Sequence, residues 1–135
     1  MPHTRELFDT MTARAGLSSD VLANAVDTLQ ECEEVVTACA MGMLGEQDAL
    51  DMAPAISRDL DCADVVGTTR RILTRGSGPD ISLISAQLEA CLLACERSYA
   101  LCSQHAAHHA HCQMCAEVTR RCADMCRQIL GALHR

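Results

Sequence analysis

The cysteines between Cys91 and Cys126 recur at the period of an α-helix, and this spacing restricts the fold more than any other feature of the chain. The stretch reads CLLACERSYALCSQHAAHHAHCQMCAEVTRRCADMC. At about 100° per residue, Cys91, Cys95 and Cys102 fall within roughly 40° of one another. The cysteines from Cys112 to Cys126 fall within roughly 80°. The stretch therefore predicts two helices that each carry one stripe of thiols.

Apolar residues keep a helical period over most of the chain, and capping residues and breakers divide it into four long helices. Its apolar residues are mainly Ala, Leu, Val, Met and Cys, with no Trp, which favours helices over sheets. The predicted helices run from Ser18 or Ser19 to about Leu44, from Pro54 to about Arg75, from Asp80 or Ser82 to about Ala107, and from the turn at His108–Ala110 to about Leu133. Because short connections join them, we predict an all-α, up-down-up-down four-helix bundle.

A short extra helix precedes the bundle in this prediction. It begins with Thr4 as its N-cap, places Leu7, Phe8 and Met11 on one face, and runs to Ala15 with Gly16 as its stop. A chain of 135 residues suits a single compact domain. We therefore expect residues 1–17 to flank the bundle and residues 18–135 to form it.

The predicted topology places the thiols at successive depths. The connections at 45–53 and 108–111 lie at one end of the bundle, called the top, and residues 76–79 lie at the bottom. With about 1.5 Å of rise per residue, the sulfurs form a ladder instead of a single site. From top to bottom the ladder consists of Cys39, Cys102, Cys112 and Cys115, then Cys62, then Cys32, Cys95 and Cys122, and last Cys91 and Cys126. All ten are candidate metal ligands.

Three other uses of these cysteines fit their number and spacing less well. Free Cys packs well as a small hydrophobe, but ten on inward faces exceed what packing requires. Disulfides fit poorly, because cysteines one turn apart on a helix have nearly parallel side chains. Zinc and iron–sulfur sites gather four ligands at one place, and only Cys112-Gln-Met-Cys115 has the usual short spacing.

Cu(I) suits the ladder best, because it is soft and prefers thiolate and thioether ligands. Ten thiolates with about ten monovalent ions are close to neutral, whereas divalent ions at that ratio leave a large charge in a dry core. Each thiol releases a proton on loading, so binding should weaken as the pH falls. The pattern therefore predicts several Cu(I) ions per chain.

A second group of candidate ligands gathers at the top of the bundle. Neutral imidazoles and thioethers both bind copper, and we interpret the group as a port through which the ion reaches the upper cysteines. Asp61, beside Cys62, is included as a candidate channel carboxylate, with a solvated or interface position as the alternative. The predicted port consists of His105, His108, His109, His111, Met41, Met43, Met52 and Asp61.

Charge and motifs exclude several classes of protein. A net charge of −7 without any Lys argues against nucleic acid or an anionic membrane as a partner. The start of the chain lacks the apolar segment of a secretory signal, and no apolar run is long enough to span a membrane, so we expect a cytoplasmic protein. No catalytic pattern stands out, and we expect no enzyme.

Three motifs resemble the cytosolic bacterial branch of the copper storage proteins, which are Cys-rich four-helix bundles. They are DCAD at 61–64, CLLAC at 91–95, and HAAHHAHCQMCAEVTRRCADMC at 105–126. The resemblance covers about residues 20–133 and implies a homotetramer of bundles filled with Cu(I). The chain departs from the fuller pattern at four positions where related proteins can have cysteines. These are Val36, Val66, Ser98 and Thr119.

The leading hypothesis is a protein that sequesters and stores many Cu(I) ions, with a cytosolic copper chaperone as a candidate donor. Two alternatives stay open at this point. One is a redox-active thiol protein whose cysteines are consumed by oxidants, and the other is a zinc-binding or iron–sulfur helical module.

Overall fold

The structure is a computed structural model that describes residues 3–11, 16–75 and 80–133. Its five helices are α1 (Thr4–Asp9), α2 (Ser19–Leu44), α3 (Ala53–Arg75), α4 (Ile81–His105) and α5 (Ala110–Leu133). These described ranges contain no strand. None of their helices is both long enough and apolar enough to cross a membrane.

The four long helices form a closed ring of neighbours. Helix α2 packs against α3 and α5, and α4 packs against the same two helices from the other side. Since consecutive helices are adjacent and joined by short connections, they run up, down, up and down. The predicted all-α four-helix bundle is confirmed. The short helix α1 packs on the outside of α2.

Polar side chains and a glycine define the helix ends near the predicted positions. The Val21 N–H donates to the Ser18 hydroxyl at 3.2 Å, and the Leu83 N–H donates to Asp80 Oδ1 at 3.1 Å. These bonds satisfy amides that the first helical turn leaves without a partner. Gly45 follows α2 and donates its N–H to the Met41 carbonyl at 3.2 Å. The turn predicted at residues 76–79 lies outside the described residues.

The N-terminal helix differs from its prediction. Thr4 is the first residue of α1 instead of its N-cap, because its hydroxyl donates to Asp27 on α2 at 2.9 Å. The helix ends at Asp9, short of the predicted Ala15. Residues 12–15 lie outside the described part of the chain. The Phe8 side chain is fully buried, so α1 is anchored on the bundle by packing.

The two ends of the core have different compositions. The bottom, where α2 and α4 begin and α3 and α5 end, is filled with aliphatic side chains. Those buried there are Leu22, Leu29, Leu73, Ile84, Leu88 and Ile129. From the middle upward, thiols share the inward faces with buried apolar side chains such as Val36, Met43 and Met52. The lower end of the core is therefore aliphatic, whereas the rest of it is rich in sulfur.

Candidate metal centre

All ten cysteines lie on the inward faces of the four long helices. Each is at most 1% exposed, and all ten are free thiols. Helix α5 contributes four of them, α4 three, α2 two and α3 one. The inward stripe follows from helical spacing, because residues three, four or seven apart share a face. The sulfurs divide by contact into an upper and a lower group.

The lower thiol group consists of Cys32, Cys62, Cys91, Cys95, Cys122 and Cys126. The sulfurs of Cys32, Cys95 and Cys122 lie within 4.8 Å of one another, and so do those of Cys91, Cys122 and Cys126. Cys62 joins the group through its Sγ, 3.9 Å from Cys95 Sγ. Because Cys122 belongs to both trios, one sulfur can bridge ions held by each.

The upper thiol group consists of Cys39, Cys102, Cys112 and Cys115. The Sγ atoms of Cys102 and Cys115 are 3.3 Å apart, and those of Cys39 and Cys112 are 3.9 Å apart. Burial raises the pKa of Cys112 to about 11, so this sulfur is a protonated thiol at neutral pH. A soft cation that binds here must displace the proton.

A buried carboxylate, Asp59, lies against the upper group. Its Oδ1 accepts hydrogen bonds from the Ser98 hydroxyl at 2.6 Å, from the Cys102 thiol at 3.2 Å and from the Cys115 thiol at 3.4 Å. Its Oδ2 has no hydrogen-bond partner among the described residues. Burial raises the pKa of Asp59 to about 7. The carboxyl group can therefore hold a proton or face a cation close to neutral pH.

The channel position predicted for Asp61 is wrong. Its side chain is 61% exposed and accepts a hydrogen bond from Arg58 at 3.2 Å. Asp59, which the prediction missed, occupies the inward position instead. The signal for Asp59 was present in the sequence, since it is three residues before Cys62 and so shares its face of α3.

An imidazole connects the upper thiols to the surface. The Nδ1 atom of His111 is 3.5 Å from both Cys39 Sγ and Cys112 Sγ. Its Nε2 is 3.1 Å from Glu46 Oε1, in the connection between α2 and α3. The His109 ring stacks beside His111 with its centroid 5.3 Å away. Glu46 was not a predicted site residue, because it lies in a connection with no periodic pattern.

The other predicted port residues occupy different environments. Met43 and Met52 are fully buried, His105 is half-buried, and His108 is exposed. Met41 is 54% exposed and lines a groove on the outside of the bundle. It lies two residues after Cys39, about 200° around the helix, so it faces away from the thiols and its predicted position at the port is wrong.

The four positions at which related proteins can have further cysteines are all buried and carry Val, Ser or Thr side chains. Val36, Val66, Ser98 and Thr119 are each 0% exposed. Val36, Ser98 and Thr119 each lie between an upper and a lower cysteine of their own helix. These three residues therefore separate the cysteines of α2, α4 and α5 into an upper and a lower set.

Comparisons with known proteins agree with this geometry. Residues 18–131 match the copper storage protein family. A solved structure of the copper storage protein Ccsp from Streptomyces lividans, loaded with 10 copper equivalents, is similar over 95% of this chain and 98% of that one, with 33% identity and a TM-score of 0.91. A structure of a cytosolic copper storage protein from the same organism, with five coppers, is 35% identical over 83% of this chain and 93% of that one, with a TM-score of 0.81.

A further relative comes from Bacillus subtilis. The uncharacterized cysteine-rich protein YhjQ of Bacillus subtilis is 29% identical over 104 residues, which is 77% of this chain and 87% of that protein. The family match spans most of the chain and includes all ten buried cysteines. This chain belongs to the copper storage protein family.

Proposed function

We propose that this protein stores several Cu(I) ions in the cytosol, bound by the ten cysteines that line its bundle. The observation that carries the proposal is the set of ten fully buried, free thiols in groups that share sulfurs along the bundle axis. Packing alone does not call for so many thiols, and the groups are too extended for one zinc ion. The role is that of a store and not of an enzyme.

Charge favours a monovalent ion. Each thiol that binds metal loses a proton, so one Cu(I) for each thiolate leaves the core close to neutral. The same number of divalent ions would leave a large positive charge away from water. The Streptomyces lividans relative was loaded with 10 copper equivalents, which supports a capacity near one ion for each cysteine here.

The ion enters at the top through His111. Its Nδ1, 3.5 Å from the sulfurs of Cys39 and Cys112, supports a transfer from imidazole to thiolate. His105, His108 and His109 on the same connection, with the buried Met43 and Met52 of the opposite one, form the rest of the port. A cytosolic copper chaperone is the proposed donor.

The protein acts as a homotetramer in this proposal, with residues 1–17 flanking each bundle and residues 18–135 forming it. Exposed apolar side chains on the outside of α4 support an assembly through that helix. Leu83, Leu93 and Tyr99 are 50%, 51% and 39% exposed, respectively. Such side chains on a bundle surface are suited to contacts between copies.

Anaerobic titration tests the storage function. Fully reduced protein is titrated with Cu(I) against a competing chelator, and we expect about one ion for each cysteine at saturation. Saturation at one or two ions per chain contradicts storage. Rapid formation of specific disulfides without tight copper uptake supports a redox-active thiol protein instead. Metal analysis of the purified protein detects zinc or iron if either is the physiological metal.

A further inference from the structure

We propose that the top of the bundle carries a separate site for one Zn(II)-type divalent ion, formed by Glu46, His109 and His111. The three ligand atoms lie within 4.8 Å of one another, and each residue is half-buried. Two imidazoles and a carboxylate, with a fourth position left to water, are a ligand set that zinc accepts. Cu(I), in contrast, prefers the sulfurs below.

The distances between these ligand atoms suit a metal at their centre. His111 Nε2 is 3.1 Å and His109 Nδ1 is 3.5 Å from Glu46 Oε1. Two ligands of a tetrahedral zinc ion with bonds of about 2.0–2.1 Å are about 3.3–3.4 Å apart. The contact at 3.5 Å is long for a hydrogen bond but close to this ligand separation.

The surroundings of His109 add a second argument. Its Nδ1 faces Glu46 and its Nε2 faces Asp48 Oδ2, each at 3.5 Å. A neutral imidazole has one N–H and one lone pair, so one nitrogen would direct its lone pair at a carboxylate. A cation between Nδ1 and Glu46 removes that conflict. The Nε2–H then donates to Asp48, the usual support for a metal-bound histidine.

His111 allows both metals to be bound at once. Its Nε2 faces Glu46, whereas its Nδ1 faces the sulfurs of Cys39 and Cys112. A divalent ion on Nε2 uses the one lone pair of the neutral ring, so Nδ1 carries the N–H and can donate a hydrogen bond to a thiolate sulfur below. It also fixes the imidazole and places a positive charge at the port, so bound zinc should slow Cu(I) uptake without reducing capacity. Only this last consequence rests on the proposed function.

Cobalt titration tests the site. Protein is first saturated with Cu(I) anaerobically, so that the thiolates are occupied, and Co(II) is then added. We expect about one Co(II) per chain, with weak visible bands and no new sulfur-to-cobalt charge-transfer band. Zn(II) should displace it. Glu46→Gln should weaken Zn(II) binding by at least about 10-fold, and Asp48→Asn by about 10-fold.

Asp51→Asn is the matched control, because it removes one negative charge from an exposed side chain in the same connection. It should leave Zn(II) affinity within about twofold, since Asp51 is not one of the clustered ligands. Absence of Co(II) and Zn(II) uptake overturns the proposal. Sulfur-to-cobalt bands, or equal affinity in Glu46→Gln, also overturn it.

A readout that does not depend on copper separates this proposal from the storage function. In metal-free, reduced protein, Zn(II) should shift the ¹⁵N resonances of His109 Nδ1 and His111 Nε2. If the chain takes up no Cu(I) but these shifts appear, storage fails and the zinc site stands. If Cu(I) is stored and these nitrogens do not respond to Zn(II), the zinc site fails alone.

Discussion

The upper and lower thiol groups are buried to the same extent, but their neighbours differ. Around the upper sulfurs the close donor atoms include the Asp59 carboxylate and the His111 imidazole. Around the lower sulfurs, within the described ranges, the groups that could hold a metal ion consist of cysteines alone. The Asp59 carboxyl group can exchange a proton near neutral pH, and both it and the imidazole can bind a cation, whereas the lower group offers thiols alone as metal ligands.

Under the proposed storage function, this difference indicates that the two thiol groups have different roles. The upper group is adjacent to the port and has non-sulfur groups that stabilise partly loaded states. The lower group is reached only past it and past Val36, Ser98 and Thr119. Loading should therefore begin in the upper group and proceed downward.

Removal of one thiol group at a time should have the largest effect on the capacity for Cu(I) and on the rate of its uptake. Changing Cys39, Cys102, Cys112 and Cys115 together to Ala should lower the Cu(I) capacity by about four ions and slow the filling of the rest. The matched variant changes four lower cysteines to Ala: Cys91, Cys95, Cys122 and Cys126. It should lose about as many ions but keep the fast first phase of uptake. Stopped-flow mixing with Cu(I) measures both, and identical kinetics in the two variants contradict a downward order.

Asp59 should make the stability of the metal-free protein depend on pH. Its pKa is raised from 3.8 to about 7, so the folded state holds the proton more tightly than the unfolded state does. Stability is then full below about pH 4 and falls as the pH rises to about 7, by at most about 4 kcal/mol. Urea denaturation of reduced protein across this range measures the loss.

The Asp59→Asn variant should remove this pH dependence, because an amide does not titrate and can still accept the bond from Ser98. Asp61→Asn is the control, since the Asp61 side chain is 61% exposed and should not change the profile. A wild-type stability that stays constant between pH 4 and pH 7 contradicts the charge cost assigned to Asp59.

Loss of the port histidines should change the rate of uptake more than its extent. Changing His105, His108, His109 and His111 to Ala should slow Cu(I) uptake on the order of 10-fold and leave the final ratio nearly intact, because the thiols remain. His3→Ala is the control, as His3 is an exposed residue next to α1, with a side chain 84% exposed. Equal rates in the wild type and the fourfold variant refute a role for these imidazoles in loading.

The smallest change in Cu(I) capacity is expected from one thiol added between the upper and lower groups. Val36→Cys places a sulfur between Cys32 and Cys39 on the same face of α2, where Val36 is fully buried. We expect a capacity higher by about one ion and a stability cost of about 1 kcal/mol without metal. Val35→Cys, on the neighbouring half-buried position, should leave the capacity unchanged.

Helical periodicity was sufficient to predict the fold and the arrangement of thiols, because cysteines at turn spacing specify both the helix and its inward face. The same reasoning, applied position by position, separates Asp59 from Asp61 and explains why Met41 faces outward. It failed where Asp61 was assigned by its closeness in sequence to Cys62, and where Met41 was assigned by its end of the bundle without regard to its face of the helix. Glu46 and Asp48 could not be predicted, because their connection has no period that fixes side-chain directions.

Aliphatic side chains close the bottom of the bundle, and the proposed port lies at the opposite end. Leu22, Leu88 and Ile129 are each at most 2% exposed at the bottom and provide no ligand for a metal ion. Ions that arrive and leave through one end cannot pass one another along a single ladder of sulfurs. Under the proposed storage function, copper stored last should be released first, and ions bound at Cys91 and Cys126 should form a reserve that exchanges with the cell only after the upper sites have emptied.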